Sequence, residues 1–425
     1  MDEYPNIDVQ YGFEVTPLDF AANNDTAVSI RISQCSKPVA RDNPTSINTG
    51  ITDDTAITCD IDNSFMLTTR LLIGADGTAR TIANSMEEID TKVRGMMNPI
   101  RRLFAEKPFR VKRYIDDNQR VYKTIPLKLP SSWRGDLNYS ARTKDGRVNF
   151  DALPADANGN YCGVLLLRKS DSQAKAYADP DELRKLLDHA LPQFSKLLDD
   201  EAVSTIAMKP PSFLPSFRYA GPRLYQGGYT VLLGDSIHTV KPYFGLGANS
   251  ALEDVQVLDE ALNETSCIPE AVKVYSRKRA PESEALVKIS RELDRPGLLG
   301  VFTFIIPLIM DSIFHKSAPK IFAPNIISML QKQGINFQGV RRRKQIDRLL
   351  QLGLLSTGFY ASTRAALYIL RSLIPYSKKI IVPISFGLLL LAILNRSKGR
   401  VAKVLNPRQA PADVITIAEG RKAVK

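Results

Sequence analysis

The pattern of apolar and polar positions divides the chain into short strands followed by longer helices. Val28, Ile30 and Ile32 alternate with Ser29 and Arg31, the period of a half-buried strand. Two apolar runs are short and stop at a glycine: Leu71-Leu72-Ile73 before Gly74, and Val231-Leu232-Leu233 before Gly234. Both predict buried strands that end in tight turns. Between Cys35 and Thr58, Pro38, Pro44 and Gly50 lie among polar residues and read as loops. Further strand patterns follow, such as Tyr161 to Arg168, and a helix with acidic first residues is predicted from Pro180 to Leu191. Ala251, Val255, Leu258 and Leu262 recur at helical spacing, which predicts a helix opening near Ala248 and packing by that stripe. From Ile268 onward the patterns are helical, with apolar stretches at Gly297–Met310, Leu349–Ile374 and Ile380–Leu394. No internal repeat is present, and Asn406–Lys425 reads as a loose tail.

The turn after the second short strand carries the richest chemistry. Gly234-Asp235 ends the strand, Pro242 follows, and Gly245 and Gly247 allow a close backbone approach to a ligand. The helix opening at Ala248 and Asn249 offers unpaired N–H groups to that ligand. Gly234-Asp235, Pro242, Gly245-x-Gly247-x-Asn249 and Glu253-Asp254 together resemble the second flavin motif of the FAD-dependent aromatic hydroxylases, a flavoprotein monooxygenase family, in its kynurenine-hydroxylating branch. Arg70 to Arg80, reading RLLIGADGTAR, resembles the other inner motif of that family, a strand ending in Gly-x-Asp-Gly. The order of the two motifs also suits the family.

The resemblance implies an α/β fold: an FAD-binding Rossmann-like domain interleaved with a mixed-sheet substrate domain, plus a C-terminal helical region. The expected division is 1–97 for part of the FAD-binding domain, 98–223 for the substrate domain and 224–296 for the return of the FAD-binding domain. A helical region at 297–375 and a membrane-anchor segment with a basic tail at 376–425 complete it. No Gly-x-Gly-x-x-Gly occurs, so the first βαβ unit that binds pyrophosphate is expected to be missing from this sequence. Either Met1 is an internal methionine, or the protein is a shortened one that has lost much of its FAD site.

The resemblance assigns cofactor contacts to Asp76, Gly77, Gly234, Asp235, Pro242, Gly245, Gly247, Ala248 and Asn249. Asp235 is expected to accept a hydrogen bond from a sugar or ribityl hydroxyl, since an ionised acceptor makes the stronger bond. Asp76 is expected near the same cofactor or, on the plainer reading, as a helix cap. Arg80 is expected to order its loop. The implied cofactors are FAD and NADPH: NADPH reduces FAD, O2 is activated on the reduced ring, and one oxygen atom passes to a small organic substrate by hydroxylation or epoxidation. Kynurenine hydroxylases hold their substrate partly through an Asn and a Tyr of the C-terminal helices. Alignment puts Leu293 or Asp294 and Ile326 near those positions, so a more apolar substrate is expected. No catalytic acid–base constellation is visible, and none is required. Two other readings stay open: a non-catalytic flavin-fold remnant at a membrane, and a flavin oxidoreductase acting on a lipid or isoprenoid.

Composition narrows the partners. At 425 residues, 44% hydrophobic and 24% charged, the chain is an ordinary globular protein. Its net charge of +12 suggests nucleic acid, but residues 341–425 hold 17 basic against 3 acidic side chains, which leaves 40 against 42 for the rest. The excess instead flanks the apolar run Ile380–Leu394, which reads as a membrane segment or as a buried core helix; the resemblance implies an anchor at this end, and with it a cytosol-facing place on an organelle membrane. The four cysteines are scattered without CxxC spacing, so neither a metal site nor a disulfide framework is supported. His238 lies in the flavin loop, where a packing role is expected.

Overall fold

The computed structural model describes residues 6–20, 27–35, 59–105, 107–116, 118–143, 148–156, 158–168, 178–242, 245–332, 334 and 336–373. The expected anchor segment and the loop region before Thr58 lie outside these residues. The chain divides into two compact units, Met1–Asn118 with Pro215–Gln345, and Gln119–Leu214 with Ile346–Lys425.

The first unit contains three small sheets. Strands β1 (Phe13–Pro17), β2 (Val28–Cys35) and β3 (Cys59–Thr69) form an antiparallel meander, with Val28 and Ile30 buried as the alternation predicts. Strand β4 (Leu72–Gly74) lies parallel to β13 (Thr230–Leu232), in the register Thr230↔Leu72, Val231↔Ile73 and Leu232↔Gly74. β12 (Tyr225–Gln226) pairs antiparallel with the outer edge of β13. The third sheet orders β14 (His238–Thr239), β11 (Arg218–Gly221) and β5 (Arg110–Arg113).

Helices cover these strands. They are α1 (Thr81–Met96), α6 (Leu246–Glu264) and α7 (Ile268–Leu293), while the short α2 (Pro99–Phe104) buries none of its residues. Ile82, Met86, Val231, Leu232, Tyr275, Leu286 and Ile289 share the unit's core. Gly74 is required where α1 meets β4: a Cβ there would sit 2.8 Å from Leu232 Cδ2 and 3.3 Å from the Ile82 side chain. The Tyr275 hydroxyl donates to Leu232 O at 2.9 Å, fastening α7 to the strand it covers.

The sequence misjudges the buried face of α6. The helix begins at Leu246, not near Ala248, and its buried residues are Leu246, Ser250, Asp254, Leu258 and Ala261. Val255, expected in the packing stripe, is exposed. The inward face carries a hydroxyl and a carboxylate whose hydrogen bonds are satisfied inside, so hydropathy alone selects a stripe rotated away from the true one.

Beyond α7 come α8 (Gly297–Gly300), one π-helical turn (Val301–Ile305) and α9 (Ile306–Ser317). They are followed by α10 (Ile326–Leu330) and α11 (Phe337–Leu373). Among the described residues, Gly297–Ser317 is the one helical stretch long and apolar enough to cross a membrane, and few of its residues are buried.

The second unit is built on an antiparallel sheet of order β10-β6-β9-β8-β7. Its strands are β6 (Arg120–Lys128), β7 (Tyr139–Arg142), β8 (Asn149–Pro154), β9 (Asn160–Arg168) and β10 (Ser212–Phe213). α3 (Pro180–Ala190), α4 (Pro192–Ser195) and α5 (Asp200–Met208) share a core with it, including Ile125, Phe150, Leu165, Leu187 and Ile206. Asp179 caps α3, accepting from Asp181 N at 2.9 Å, one residue before the predicted start. On β6 an inward Lys123 interrupts the apolar alternation. Its ammonium donates to Ile206 O and Ala207 O, at 2.7 and 2.8 Å, at the negative end of α5.

Gly163 on β9 lies under the Phe150 ring, and a Cβ there would fall 2.5 Å from Phe150 Cζ and 3.1 Å from Ile125 O. Gly163→Ala is therefore expected to destabilise the protein by about 1–3 kcal/mol through overpacking. Urea unfolding monitored by circular dichroism checks this, as a lowered midpoint.

Candidate functional site

The β4–β13 pair brings the two sequence motifs together. Because the strands run parallel, both turns leave the sheet at the same carboxyl-terminal edge, where ligands bind in open α/β folds. Leu233 N donates to Gly74 O at 2.9 Å, extending the ladder by one rung. Beyond it the Ser236 hydroxyl lies between two carbonyls, Gly74 O at 2.8 Å and Leu233 O at 2.6 Å, and shares its one proton between them. Gly74-Ala75-Asp76-Gly77 and Gly234-Asp235-Ser236 are thus adjacent turns, although 160 positions separate Gly74 from Gly234.

Gly234 has φ 64°, and the chain from Gly234 to Ser236 makes a single 3₁₀ turn. A left-handed conformation against Ala251 Cβ, 3.3 Å from the missing methyl, leaves glycine as the residue that fits. The turn projects Asp235, half-buried, whose carboxylate takes no hydrogen bond from any described residue. Burial raises its carboxyl above the ordinary value, and the neighbouring His238 and Arg80 only partly offset this.

Asp76 does two things. Its Oδ2 accepts from Ile82 N at 3.1 Å, serving the first turn of α1 from outside the helix, while Oδ1 is buried without a partner among the described residues. Gly77 follows at φ 60° with open space where a side chain would stand. Arg80 occupies the N-cap position of α1 in a left-handed conformation, φ 56° and ψ 33°. Its Nε donates to Ser236 O at 3.1 Å, and its Nη2 donates to Asp235 O at 2.5 Å and to the Thr239 hydroxyl. Burial lowers the Arg80 guanidinium to about 10; Arg218 adds to the shift, and Asp235 and Asp76 oppose it.

The remaining candidates follow along the loop. Pro242 is exposed, Gly245 has φ 64° with open space above its Cα, and α6 opens directly after it with no side-chain cap among the described residues. Gly247 and Ala248 therefore lie in a first turn whose N–H groups have no helical partner, and Asn249 follows them as the first residue to donate within the helix. Tyr243 and Phe244 lie outside the described residues.

A buried ionic network, of which the sequence showed only a part, holds the turn from the α6 side. Asp254 Oδ2 accepts from Gly234 N at 2.9 Å and pairs with His238 Nε2 at 2.8 Å. Asp254 Oδ1 accepts from Arg279 Nε at 2.7 Å, and Arg279 also donates to the Ser250 hydroxyl at 2.8 Å and pairs with Glu253. Burial pushes the Asp254 carboxyl up, but the His238 bond and the charges of His238 and Arg279 outweigh it and hold the carboxyl below its usual value. His238 is buried, as the expected packing role requires, and its ring also hydrogen-bonds Asp254 inside this network. Asp254 stands in the quoted Glu253-Asp254 pair, and its line with Ser250, Leu258 and Ala261 was the available signal. Arg279 had none, since its neighbours Arg277 and Lys278 look the same in sequence.

Known proteins agree with this geometry. Residues 197–290 match the family "FAD binding domain". The chain is 25% identical over 293 residues to "Kynurenine 3-monooxygenase" of Salinispora tropica, covering 67% of this chain and 59% of that protein. It is 34% identical over 140 residues to "FAD-dependent monooxygenase OpS4" of Beauveria bassiana, 31% of each. Over these segments the chain is similar to FAD-dependent monooxygenases, in keeping with the resemblance to the aromatic hydroxylases. Among solved structures it resembles Klebsiella pneumoniae HpxO complexed with FAD and uric acid, at 16% identity and TM-score 0.41, over 73% of this chain and 62% of that one. The chain spans about half the length of the curated hydroxylase relatives it matches, 59% and 46% of the first two. The fold itself is mixed α/β, with several small sheets and C-terminal helices, and it includes the matched FAD-binding segment.

The residues present fit FAD. Asp235 and Asp76 each hold unmatched acceptor capacity at the sheet edge, and the first turn of α6 supplies bare donors beside a glycine with open space. The cofactor of this domain family would meet complementary groups there.

Asp254→Ala leaves Arg279 and His238 buried without their carboxylate and is expected to destabilise the protein by about 3–5 kcal/mol. A depressed carboxyl stabilises the fold above its unfolded value, near 3.8, and that contribution is lost as pH falls toward the folded value. Melting curves between pH 3 and 7 check this: the wild type loses stability steeply at the acid end, and Asp254→Ala loses less.

Proposed function

We propose that this protein is an FAD-dependent monooxygenase that uses NADPH and O2 to hydroxylate or epoxidise a small organic substrate. The observation that carries the reading is the parallel β4–β13 pair, which sets the Asp76 and Asp235 turns side by side at one sheet edge. In this reading Asp235 accepts a hydroxyl of the cofactor's sugar or ribityl chain. Asp76 and Gly77 lie along the same cofactor, and Gly234 shapes the turn. Pro242, Gly245 and Gly247 carry the loop past the ring. The N-terminus of α6, at Gly247, Ala248 and Asn249, directs its positive end at the charge that a reduced flavin gathers. When bound, FAD supplies the redox chemistry, accepting a hydride from NADPH and delivering electrons to O2. The protein's own part is to position, exclude water and stabilise charge, which requires no acid–base pair.

The second unit, with its five-stranded sheet, is proposed as the substrate domain. A substrate more apolar than kynurenine is supported by Asp294. Its Oδ2 accepts from Lys241 Nζ at 2.7 Å and its Oδ1 accepts from Asn118 Nδ2 at 2.9 Å, so the carboxylate is already engaged inside the fold. Ile326, at the other compared position, has no polar group to offer. Association with a membrane surface is supported by the exposed apolar stretch Gly297–Ser317, with Lys316 and Lys320 exposed at its end.

Two measurements test the function. Asp235→Asn is expected to weaken FAD about ten- to a hundredfold in a flavin-fluorescence titration, since a charged acceptor is lost. The same substitution is expected to raise the melting temperature of the flavin-free protein. A carboxyl whose folded value is raised costs stability once ionised, as pH rises through that value, and Asn removes the cost. Unchanged FAD affinity contradicts the assignment. Separately, a monooxygenase consumes one O2 and one NADPH for each product, which an oxygen electrode run with product analysis reads. NADPH oxidation that forms product without O2 uptake sinks the monooxygenase reading.

A further inference from the structure

We propose that Arg80 is a positioning residue of the cofactor site, clamping the Asp235 turn to the Asp76 turn through its guanidinium. The proposal rests on the flavin reading for what the turns hold, while the clamp itself is drawn from the fold.

Three observations converge on this side chain. Among the described residues, Arg80 is the only non-glycine with positive φ, a conformation that side chains other than Asn and Asp seldom adopt. It is also 1% exposed, in company with two further cations, Arg113 and Arg218, and opposed by Asp76 and Asp235. Neither backbone strain nor burial beside like charge is favourable alone, so something specific has to offset both. The offset is a set of bonds across 155 residues of sequence or more. Nε donates to Ser236 O, and Nη2 donates to Asp235 O and to the Thr239 hydroxyl, which itself donates to Asp235 O at 3.0 Å.

The clamp acts on the backbone of Asp235, and that is where control is needed. The Asp235 carboxylate takes no hydrogen bond from the described residues, so its direction depends on the peptide groups on either side of it. Arg80 holds both carbonyls, 235 and 236, from one planar fork. Lysine, with a single nitrogen at the end of a flexible stem, cannot serve both acceptors in that geometry. From the opposite side Asp254 holds Gly234 N, so the turn is fixed at its amide by one charged group and at its carbonyls by another. Arg80 also begins α1: Asn84 N donates to Arg80 O at 2.8 Å, and Asp76 serves Ile82 N, so movement of the Asp76 turn is passed through Arg80 to the Asp235 turn.

The test uses the full chain and three variants, Arg80→Lys, Arg80→Gly and Thr239→Val. Hydrogen exchange without flavin reads the clamp directly. Arg80→Lys is expected to melt cooperatively and to exchange roughly tenfold faster or more in segments 76–83 and 234–239, leaving the second unit unchanged. In an FAD fluorescence titration Arg80→Lys is expected to bind about tenfold more weakly, as loss of a charged hydrogen bond implies. Arg80→Gly, which relieves the backbone strain, restores neither property. Thr239→Val gives a smaller loss that does not add to that of Arg80→Lys, the mark of a shared interaction. Wild-type exchange in Arg80→Lys overturns the proposal, as does wild-type FAD affinity in Arg80→Gly. If the wild type binds no FAD, the flavin reading fails, and exchange alone decides the clamp: acceleration confined to the two segments upholds it, and unchanged exchange overturns it.

Discussion

Three rungs of parallel β-ladder between β4 and β13 govern the arrangement of this protein. A parallel pair needs a long crossover and adds little stability by itself; Leu72 and Gly74 are buried, while Ile73 between them is exposed on the other face of β4. Here α1 packs on β4 through the space left by Gly74, and Tyr275 of α7 bonds to the end of β13. Parallel register has one geometric consequence that antiparallel pairing lacks: both strands end at the same edge. The turns at Asp76 and Asp235 become neighbours for that reason, and every functional statement made above depends on it.

Around that edge the fold uses charge where a core would ordinarily use hydrocarbon. Asp254, His238, Arg279 and Arg80 are all buried, and each is bound to partners contributed by a different segment. Such groups are costly to desolvate, but they fix direction in a way that apolar packing does not. Asp235 is the exception, half-buried and without a bond to the described residues. A stable core would not leave a carboxylate in that state, and a binding site does. The tension between the stability of the flavin-free protein and its affinity for cofactor is concentrated on this one side chain.

The sequence revealed the strands and turns better than the helices. Val231-Leu232-Leu233 and Leu71-Leu72-Ile73 are apolar, short and closed by glycine, so local chemistry alone defined them, and the order of the motifs they carry pointed to the flavin resemblance. The Pro180 helix was legible from its acidic start. The inward face of α6 was not, because Ser250 and Asp254 point inward and are satisfied by residues distant in the chain, which hydropathy counts as exposed. Arg80 was legible as a loop-ordering residue, but its three acceptors lie more than 150 positions away. Arg279 was invisible, one cation among several in a helix. What sequence could not supply in each case was a long-range polar partner.

Whether the sheet edge built by β4 and β13 holds a flavin is tested most directly by one measurement. The purified 425-residue chain is mixed with FAD, freed of excess by gel filtration, and its visible absorption spectrum recorded. The account predicts flavin bands that co-elute with the protein, shifted from those of free FAD, and lost in Asp235→Asn. A colourless protein after filtration, under conditions where it is folded by circular dichroism, would contradict it.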